Sequence, residues 1–500
     1  MTTPRLSRPA ITLLVVLIGY LTFPMGMTGT ALALPEIGRD LDASGTPLQW
    51  VVTGYVLTAS SVMLVAGSLG DMFGRRKVYA TGAGVYALGT YAAAGAQNIL
   101  VLDAARTLTG IGAAGVMAGG GSLLASVFQG PSRTRVFAAV GTVAGIGMAA
   151  GPTLSGWLVS GFGWRATFLV FGTTATLVFA ASFLAPDSRA AERPKVDRPG
   201  VVTFVTGLAL LMYGVTQASL VPSLAGLVVL ALFVAVERRS DHPVLDFSLI
   251  RNRRFMGWVL GAMAVSSGAT GVLVFFPTYL QGGAGFGAQQ AGLILLAATA
   301  PIFAFPSVGG WLVNHGFAPR RLLVTALLLS AAGNAWLALA LAPGASALSL
   351  ALPLVLIGSA NGLGLGQIDA QAMSLVEQER VGLASGLLNT ARGGAGALVL
   401  AGVGAALTGL VALDVHDEAV AATVTAGQRP DLAGPFTGAW EWVAWTAAAV
   451  LTLAALLVRH LLRPVRDARP APATEPGPAE PVATESRPTE PVPTESPARV

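Results

Sequence analysis

The sequence has no cysteine and little charge: 11% of its 500 residues are Asp, Glu, Lys or Arg, against about 25% in ordinary soluble domains. The missing cysteines exclude disulfides, thiol catalysis and thiolate-held metals. The missing charge excludes a soluble globular enzyme, because too few ionic groups remain to coat the surface of so long a chain. Lysine is nearly absent, with only Lys77 and Lys195 among 30 basic residues; alongside the abundant Ala, Gly and Pro, this points to a high-GC bacterium. There is no G-x-x-x-x-G-K-[ST] phosphate loop and no H-E-x-x-H pair. His242, His315, His416 and His460 all fall in loops or at the ends of apolar runs. Hence no nucleotide, no metal, no cofactor and no enzymatic reaction is expected.

What the chain has is grease: 53% hydrophobic residues and 62 glycines, with a mean hydropathy of +0.68. A bilayer core about 30 Å thick takes about 20 apolar residues of helix. Fourteen such runs occur, near 10–35, 48–70, 78–96, 99–127, 134–160, 164–186, 200–217, 221–237, 255–280, 288–313, 320–342, 346–372, 380–412 and 438–462. They are continuously apolar, without the two-residue alternation of barrel strands, so an all-α integral membrane protein is predicted. The net charge of +5 does not imply nucleic acid, because the basic residues sit in short clusters between the runs. With the N-terminus inside, the predicted cytoplasmic segments hold 19 Arg and Lys and the external ones 3, namely Arg39, Arg165 and Arg429. Both termini are therefore expected in the cytoplasm, with the protein multi-pass in the cytoplasmic membrane and lipid as its surroundings. Ala31-Leu32-Ala33 imitates a signal-peptidase site, but the first run is too long for a signal core and a second follows at once.

Two loops repeat. Gly67-Ser-Leu69-Gly-Asp71-Met-Phe-Gly74-Arg75-Arg76 follows run 2, and Gly310-Trp-Leu312-Val-Asn314 with Arg320-Arg321 follows run 10. Equivalent loops make runs 1–6 and 9–14 related bundles, with 7 and 8 inserted. The predicted organisation is a cytoplasmic N-terminus (1–9), an N-terminal bundle (10–186), an insertion with flanking loops (187–254), a C-terminal bundle (255–462) and a Pro/Glu/Thr-rich cytoplasmic tail (463–500) that composition marks as disordered. The first loop reads as a conformational latch: Gly67 and Gly74 allow close approach, Asp71 can sit at a helix N-terminus of the neighbouring bundle, and Arg75 and Arg76 can bridge to carboxylates there. The alternative is a plain positive-inside anchor.

Gly67 to Lys77 resembles the loop signature of the major facilitator superfamily. Arg106-Thr-Leu-Thr-Gly110 resembles its buried-arginine motif, and Gly147-Met-Ala-Ala-Gly151-Pro152-Thr-Leu-Ser-Gly156 its antiporter motif. Gly382-Leu-Ala-Ser385-Gly386-Leu-Leu-Asn389-Thr-Ala-Arg392 is similar to the span 13 pattern of fourteen-span drug:proton antiporters, and Trp50 to Tyr55 and Trp164 to Phe168 agree. The resemblance implies the major-facilitator fold, two six-helix bundles plus two inserted helices, and export of a drug or antibiotic, such as a self-made metabolite, by proton antiport and alternating access. The alternative is a proton symporter or facilitator taking up a small nutrient. Four departures stand out: Gly26 occupies the position where the family carries an acid in span 1, Thr109 and Ser155 deviate within their motifs, and Ala31 replaces the usual asparagine. The missing acid favours a neutral or acidic cargo over a lipophilic cation.

Ionisable groups in a bilayer cost about 2.5–3.5 kcal/mol each, so the few present are the candidates for work. Asp103 and Arg106 lie three apart on one helix face, either coupling protons, as the resemblance implies for Arg106, or forming a structural pair. Asp369 is a proton carrier, a cation-binding group or a surface residue. Arg392 either binds a substrate anion or locks packing, and Glu441 reads as an interfacial carboxylate. Gly147, Gly151, Pro152 and Gly156 suit close helix contact around a bend, whether for a closing cavity or for generic packing. Tyr55, Asn361, Gln367, Asn389 and Arg392 are the candidate polar groups of an apolar substrate cavity.

Overall fold

The computed structural model describes residues 8–187, 198–217, 219–239, 247–364, 367–376 and 381–463, which form helices and turns with no strand among them. In chain order the helices are α1 (Arg8–Asp40), α2 (Gly45–Phe73), α3 (Arg75–Ala94), α4 (Ile99–Val127), α5 (Gly130–Phe162), α6 (Trp164–Ser182), α7 (Arg198–Thr216), α8 (Leu220–Glu237), α9 (Phe247–Arg251), α10 (Arg253–Gly282), α11 (Ala288–Asn314), α12 (Pro319–Ala340), α13 (Ala347–Gly364), α14 (Gln367–Met373), α15 (Val381–Val415), α16 (Glu418–Thr425) and α17 (Ala433–Leu461). Eleven helices among the described residues are long and apolar enough to cross a membrane. The helices α2, α3 and α5 have spanning length, at 29, 20 and 33 residues.

Helix boundaries follow local chemistry. The Asn98 side chain accepts from Val101 N at 2.9 Å and starts α4, and Asn252 accepts from Arg254 N and Phe255 N at the head of α10. The α2–α3 and α5–α6 joints are single glycines, Gly74 at φ +115° and Gly163 at φ +80°, a region that side-chain-bearing residues rarely enter. Run 12, expected as one span, is one candidate span from Ala347 to Met373, described as α13 and α14. The stretch between runs 13 and 14 contains α16 and a 3-10 turn at Pro430–Leu432.

The two bundles have the same internal wiring. In the first, α1 packs on α5 and α6, α2 on α4, and α3 on α4 and α6; in the second, α10 packs on α15 and α17, α11 on α13, and α12 on α13 and α17. The repeated loops also do the same job twice. Arg76 Nη1 donates to Ala185 O (3.2 Å) and Phe183 O (3.5 Å) at the end of α6, and Arg320 Nη2 donates to Arg459 O (2.8 Å) at the end of α17. Each arginine satisfies carbonyls left open at the last helix of its own bundle. Across the seam α2 packs on α15, α5 on α11 and α1 on α10, while the α7–α8 hairpin leans through α7 on α2 and α15. Trp50 and Tyr213 meet there with ring centroids 5.9 Å apart.

Candidate functional site

Arg106 sits on α4 at 1% exposure. Its Nε donates to Val51 O on α2 at 2.9 Å, and its guanidinium lies 4.5 Å over the Tyr55 ring and 5.7 Å from that of Phe168. Aromatic faces give a buried cation part of what water would give, about 0.5–2 kcal/mol each. Among the described residues no carboxylate completes the compensation: Arg106 Nη2 and Asp103 Oδ1 are both buried without a hydrogen-bond partner, and the two residues form no ion pair. Helix spacing puts them on adjacent turns, and the conformation keeps them apart. Tyr55, a candidate cavity residue, is buried beneath Arg106 and donates to Phe23 O at 3.4 Å.

Sequence reasoning missed how the absent span 1 acid is replaced. A Cβ on Gly26 would run into the Tyr86 hydroxyl, and the Tyr86 ring meets Phe23 edge-on with centroids 4.2 Å apart. The phenol thus occupies the space an acidic side chain would need, on the α1 face that also accepts the Tyr55 hydroxyl. A large residue on α3 opposite a glycine on α1 was the only signal, and sequence alone does not register α3 against α1.

The second locus joins two residues that were singled out separately. Arg392 Nη2 of α15 and Asp369 Oδ1 of α14 form an ion pair of 2.7 Å, with Arg392 side-chain exposure at 20% and Asp369 at 42%. Elsewhere on the same segment Asn361 Nδ2 donates to Val265 O at 3.3 Å, and Gln367 at the head of α14 faces Gly309 and Gly310 of α11. The side chain of Asn389 lies outside the described residues. Glu441 is partly buried in the third turn of α17.

The motif on α5 is pressed between two helices. A Cβ on Gly147 would strike Leu21 O, one on Gly151 would lie 2.8 Å from Met25 O, and one on Gly156 would lie 2.7 Å from Ala288 O across the seam. Pro152 lacks an N–H, so Met148 O loses its helical partner; Thr28 Oγ1 of α1 donates to it at 3.2 Å. From the other side Thr299 Oγ1 of α11 donates to Ala149 O at 3.1 Å. Intramembrane hydrogen bonds contribute about 0.6 kcal/mol on average and up to about 1.7. Thr28→Val should therefore lower the melting temperature of the reconstituted protein by a few degrees, read by a thermal scan. A larger effect is expected for Gly147→Leu, which overpacks α1 against α5 at a cost of about 1–3 kcal/mol.

The seam is lopsided. Gln49 Nε2 of α2 donates to Gly404 O (3.2 Å) and Thr408 Oγ1 (3.1 Å) of α15; Gln281 Nε2 donates to Leu32 O at 3.0 Å, and Gln428 Nε2 to Ala43 O at 2.9 Å. Among the described residues every hydrogen bond across the seam lies at mid-height or toward this end, where Arg165 and Trp164 also clasp Asp40, at 2.5 Å and 3.1 Å. Toward the other end, which carries Arg75, Arg76, Arg320 and Arg321, Val308 of α11 is exposed and a Cβ on Gly141 of α5 would meet nothing within 4 Å, while one on Gly145 would still meet Phe303 of α11 at 3.5 Å. The latch residues Gly67, Gly74, Arg75 and Arg76 lie at that basic end; the side chain of Asp71 is outside the described residues. Arg76, expected to bridge to carboxylates of the neighbouring bundle, serves carbonyls of its own bundle instead.

Comparison with known proteins places this arrangement. The family model described as Major Facilitator Superfamily matches residues 16–401. The puromycin resistance protein pur8 of Streptomyces alboniger is 30% identical over 485 residues, 93% of each chain. The multidrug resistance protein Stp of Mycobacterium tuberculosis is 29% identical over 371 residues, 72% of this chain and 68% of its own. Among solved structures, a bacterial homologue of the human lysosomal transporter Spinster, inward-facing and occupied, superposes with a TM-score of 0.65 at 17% identity, covering 92% of this chain and 97% of that one.

Proposed function

Because the chain belongs to the Major Facilitator Superfamily and is a transporter rather than an enzyme, we propose that it exports a drug or antibiotic across the cytoplasmic membrane by proton antiport, with both termini in the cytoplasm. The observation that carries this reading is the pair of like-wired bundles whose cross-seam side-chain bonds, among the described residues, lie at mid-height and toward one end, an arrangement suited to alternating access. The full-length likeness to a puromycin resistance protein supports the cargo class. The concentration of arginine at the end that carries Arg75, Arg76, Arg320 and Arg321 makes that end cytoplasmic under the positive-inside rule.

Proton coupling runs through α2. When Asp103 is ionised it attracts the unpaired Arg106 guanidinium, and when protonated it releases it. Arg106 is bonded to Val51 O, and two residues earlier on the same helix Gln49 holds α15 across the seam. A displacement of Arg106 thus reaches the bonds that keep the outer end shut. The Asp369–Arg392 pair is the corresponding charge switch of the C-terminal bundle, with Asp369 open enough to exchange a proton and Arg392 bordering the cargo path with Asn361 and Gln367. The space filled by Tyr86 at Gly26 removes the span 1 acid, which favours neutral or acidic antibiotics over lipophilic cations.

The test is puromycin uptake into everted membrane vesicles with and without an imposed proton gradient. Gradient-driven uptake that collapses with a protonophore supports the reading; transport indifferent to the gradient, or accumulation of a nutrient by intact cells with unchanged drug tolerance, removes it. In the same assay Asp369→Asn and Arg392→Gln should each lower the rate about tenfold, and the double variant should lose less than the sum, because both changes act on one ion pair.

A further inference from the structure

At the basic end the internal repeat is broken. In the N-terminal bundle the last helix, α6, has no basic residue in its final turn and is followed by Asp187. In the C-terminal bundle the last helix, α17, ends on Arg459 and His460. Two arginines converge there from the heads of neighbouring helices: Arg253 Nη2 of α10 donates to His460 O at 3.2 Å, and Arg320 Nη2 of α12 to Arg459 O at 2.8 Å. A Cβ on Gly257 of α10 would lie 3.2 Å from the Leu461 side chain, so α10 and α17 touch directly at this end. In the first bundle Arg76 alone closes the equivalent helix end. The second bundle brings more positive charge to the joint than the joint uses.

Arg254 and Arg321 stand next in sequence on α10 and α12, and with Arg459 they are exposed. Among the described residues the side chains of these three have no hydrogen-bond, ion-pair or ring partner. Like charges gathered on three adjoining helix ends repel one another unless an anion sits among them. The heads of α10 and α12 add the positive ends of two helix dipoles, and Ala318 at the head of α12 offers no capping side chain. One turn into the membrane from Arg459, Leu456 of α17 is exposed, with exposed Leu453 a turn further on. The charge therefore borders bare hydrocarbon surface.

We infer that the ends of α10, α12 and α17 form a site for an anionic phospholipid of the leaflet at the basic end, its headgroup met by Arg254, Arg321 and Arg459 and an acyl chain lying along Leu456 and Leu453. Guanidinium forks match phosphate oxygens in geometry as well as charge, and each basic side chain at the membrane surface adds to the attraction. Bound there, the lipid relieves the repulsion and ties three helices of the C-terminal bundle together at one end. The inference stands apart from the export reading.

The test is lipid binding by the full chain in dodecyl maltoside, read by native mass spectrometry with tetraoleoyl cardiolipin and with dioleoyl phosphatidylcholine. The unaltered chain should hold cardiolipin about tenfold tighter or more. Arg321→Gln combined with Arg459→Gln should weaken cardiolipin binding about tenfold and leave phosphatidylcholine binding as it was. Arg39→Gln combined with Arg429→Gln removes the same charge from exposed positions at the opposite end and should change neither. Equal affinity of the unaltered chain for the two lipids, or undiminished cardiolipin binding by the Arg321 and Arg459 variant, overturns the site. If that variant does not fold, cardiolipin binding to the unaltered chain that is indifferent to salt overturns it. Complete displacement of cardiolipin by millimolar inorganic phosphate overturns the assignment to lipid, since a phosphate without acyl chains would then suffice. Because binding is read without transport, failed puromycin uptake leaves this site standing, and failed cardiolipin binding leaves the export reading standing.

Discussion

Arg106→Lys is expected to cut proton-driven drug transport about a hundredfold at matched expression, although it keeps the charge. The guanidinium does two things at once: Nε donates to Val51 O at 2.9 Å while the plane of the group lies 4.5 Å over Tyr55. An ammonium on a flexible stem is a compact, strongly hydrated point charge that does not reproduce the planar fork. Losing a charged hydrogen bond, about 1.5–3 kcal/mol, and part of a cation–π contact makes the hundredfold figure reasonable. Arg106→Ala should be at least as severe. Initial rates in everted vesicles check this, with thermal melting to show that the variant is folded. A lysine variant with near-normal rates would mean that charge alone suffices and that the bond to α2 carries no coupling.

Bridging Gln49→Cys to Thr408→Cys should stop transport altogether. The chain contains no cysteine, so the introduced pair reacts without background. Gln49 Nε2 and Thr408 Oγ1 are 3.1 Å apart in this conformation, within reach of a short thiol-to-thiol linker. Holding α2 to α15 keeps the outer end shut, and a transporter confined to one conformation binds but does not turn over. Uptake should fall to the level of empty vesicles on linking and return when the linker is reduced, while each single cysteine remains active. Undiminished uptake with a complete bridge would mean that this end does not open during transport.

Much of the fold was legible because membrane solvent leaves few choices. Run 99–127 coincides with α4, since apolar composition and the Asn98 cap both act locally. The duplication was legible from two loops, and its physical basis is the matched use of Arg76 and Arg320 to close the last helix of each bundle. Helix faces were not legible: lipid and protein interior are both apolar, so residues carry no inside-outside period to read. For that reason the Asp369–Arg392 pair could not be foreseen, although both members were singled out. Contact between Gly26 and Tyr86 was hidden for the same reason. The separation of Asp103 from Arg106 was not legible either, because spacing fixes the helix face and tertiary packing fixes the side-chain partner, here a carbonyl on α2. The seam glutamines Gln49 and Gln281 left a trace in sequence, as amides inside long apolar helices, which should be paired across an interface.

Alternating movement of the two bundles is best tested by spin-label distances at both ends of the same molecule, in nanodiscs. Lys77→Cys with Arg321→Cys reports the basic end, and Pro47→Cys with Glu418→Cys the opposite end; all four native side chains are exposed. On adding drug and shifting pH, the basic-end distance should shorten as the opposite-end distance lengthens, with the two populations changing in proportion. Both distances holding still, or lengthening together, under conditions that support transport would contradict it.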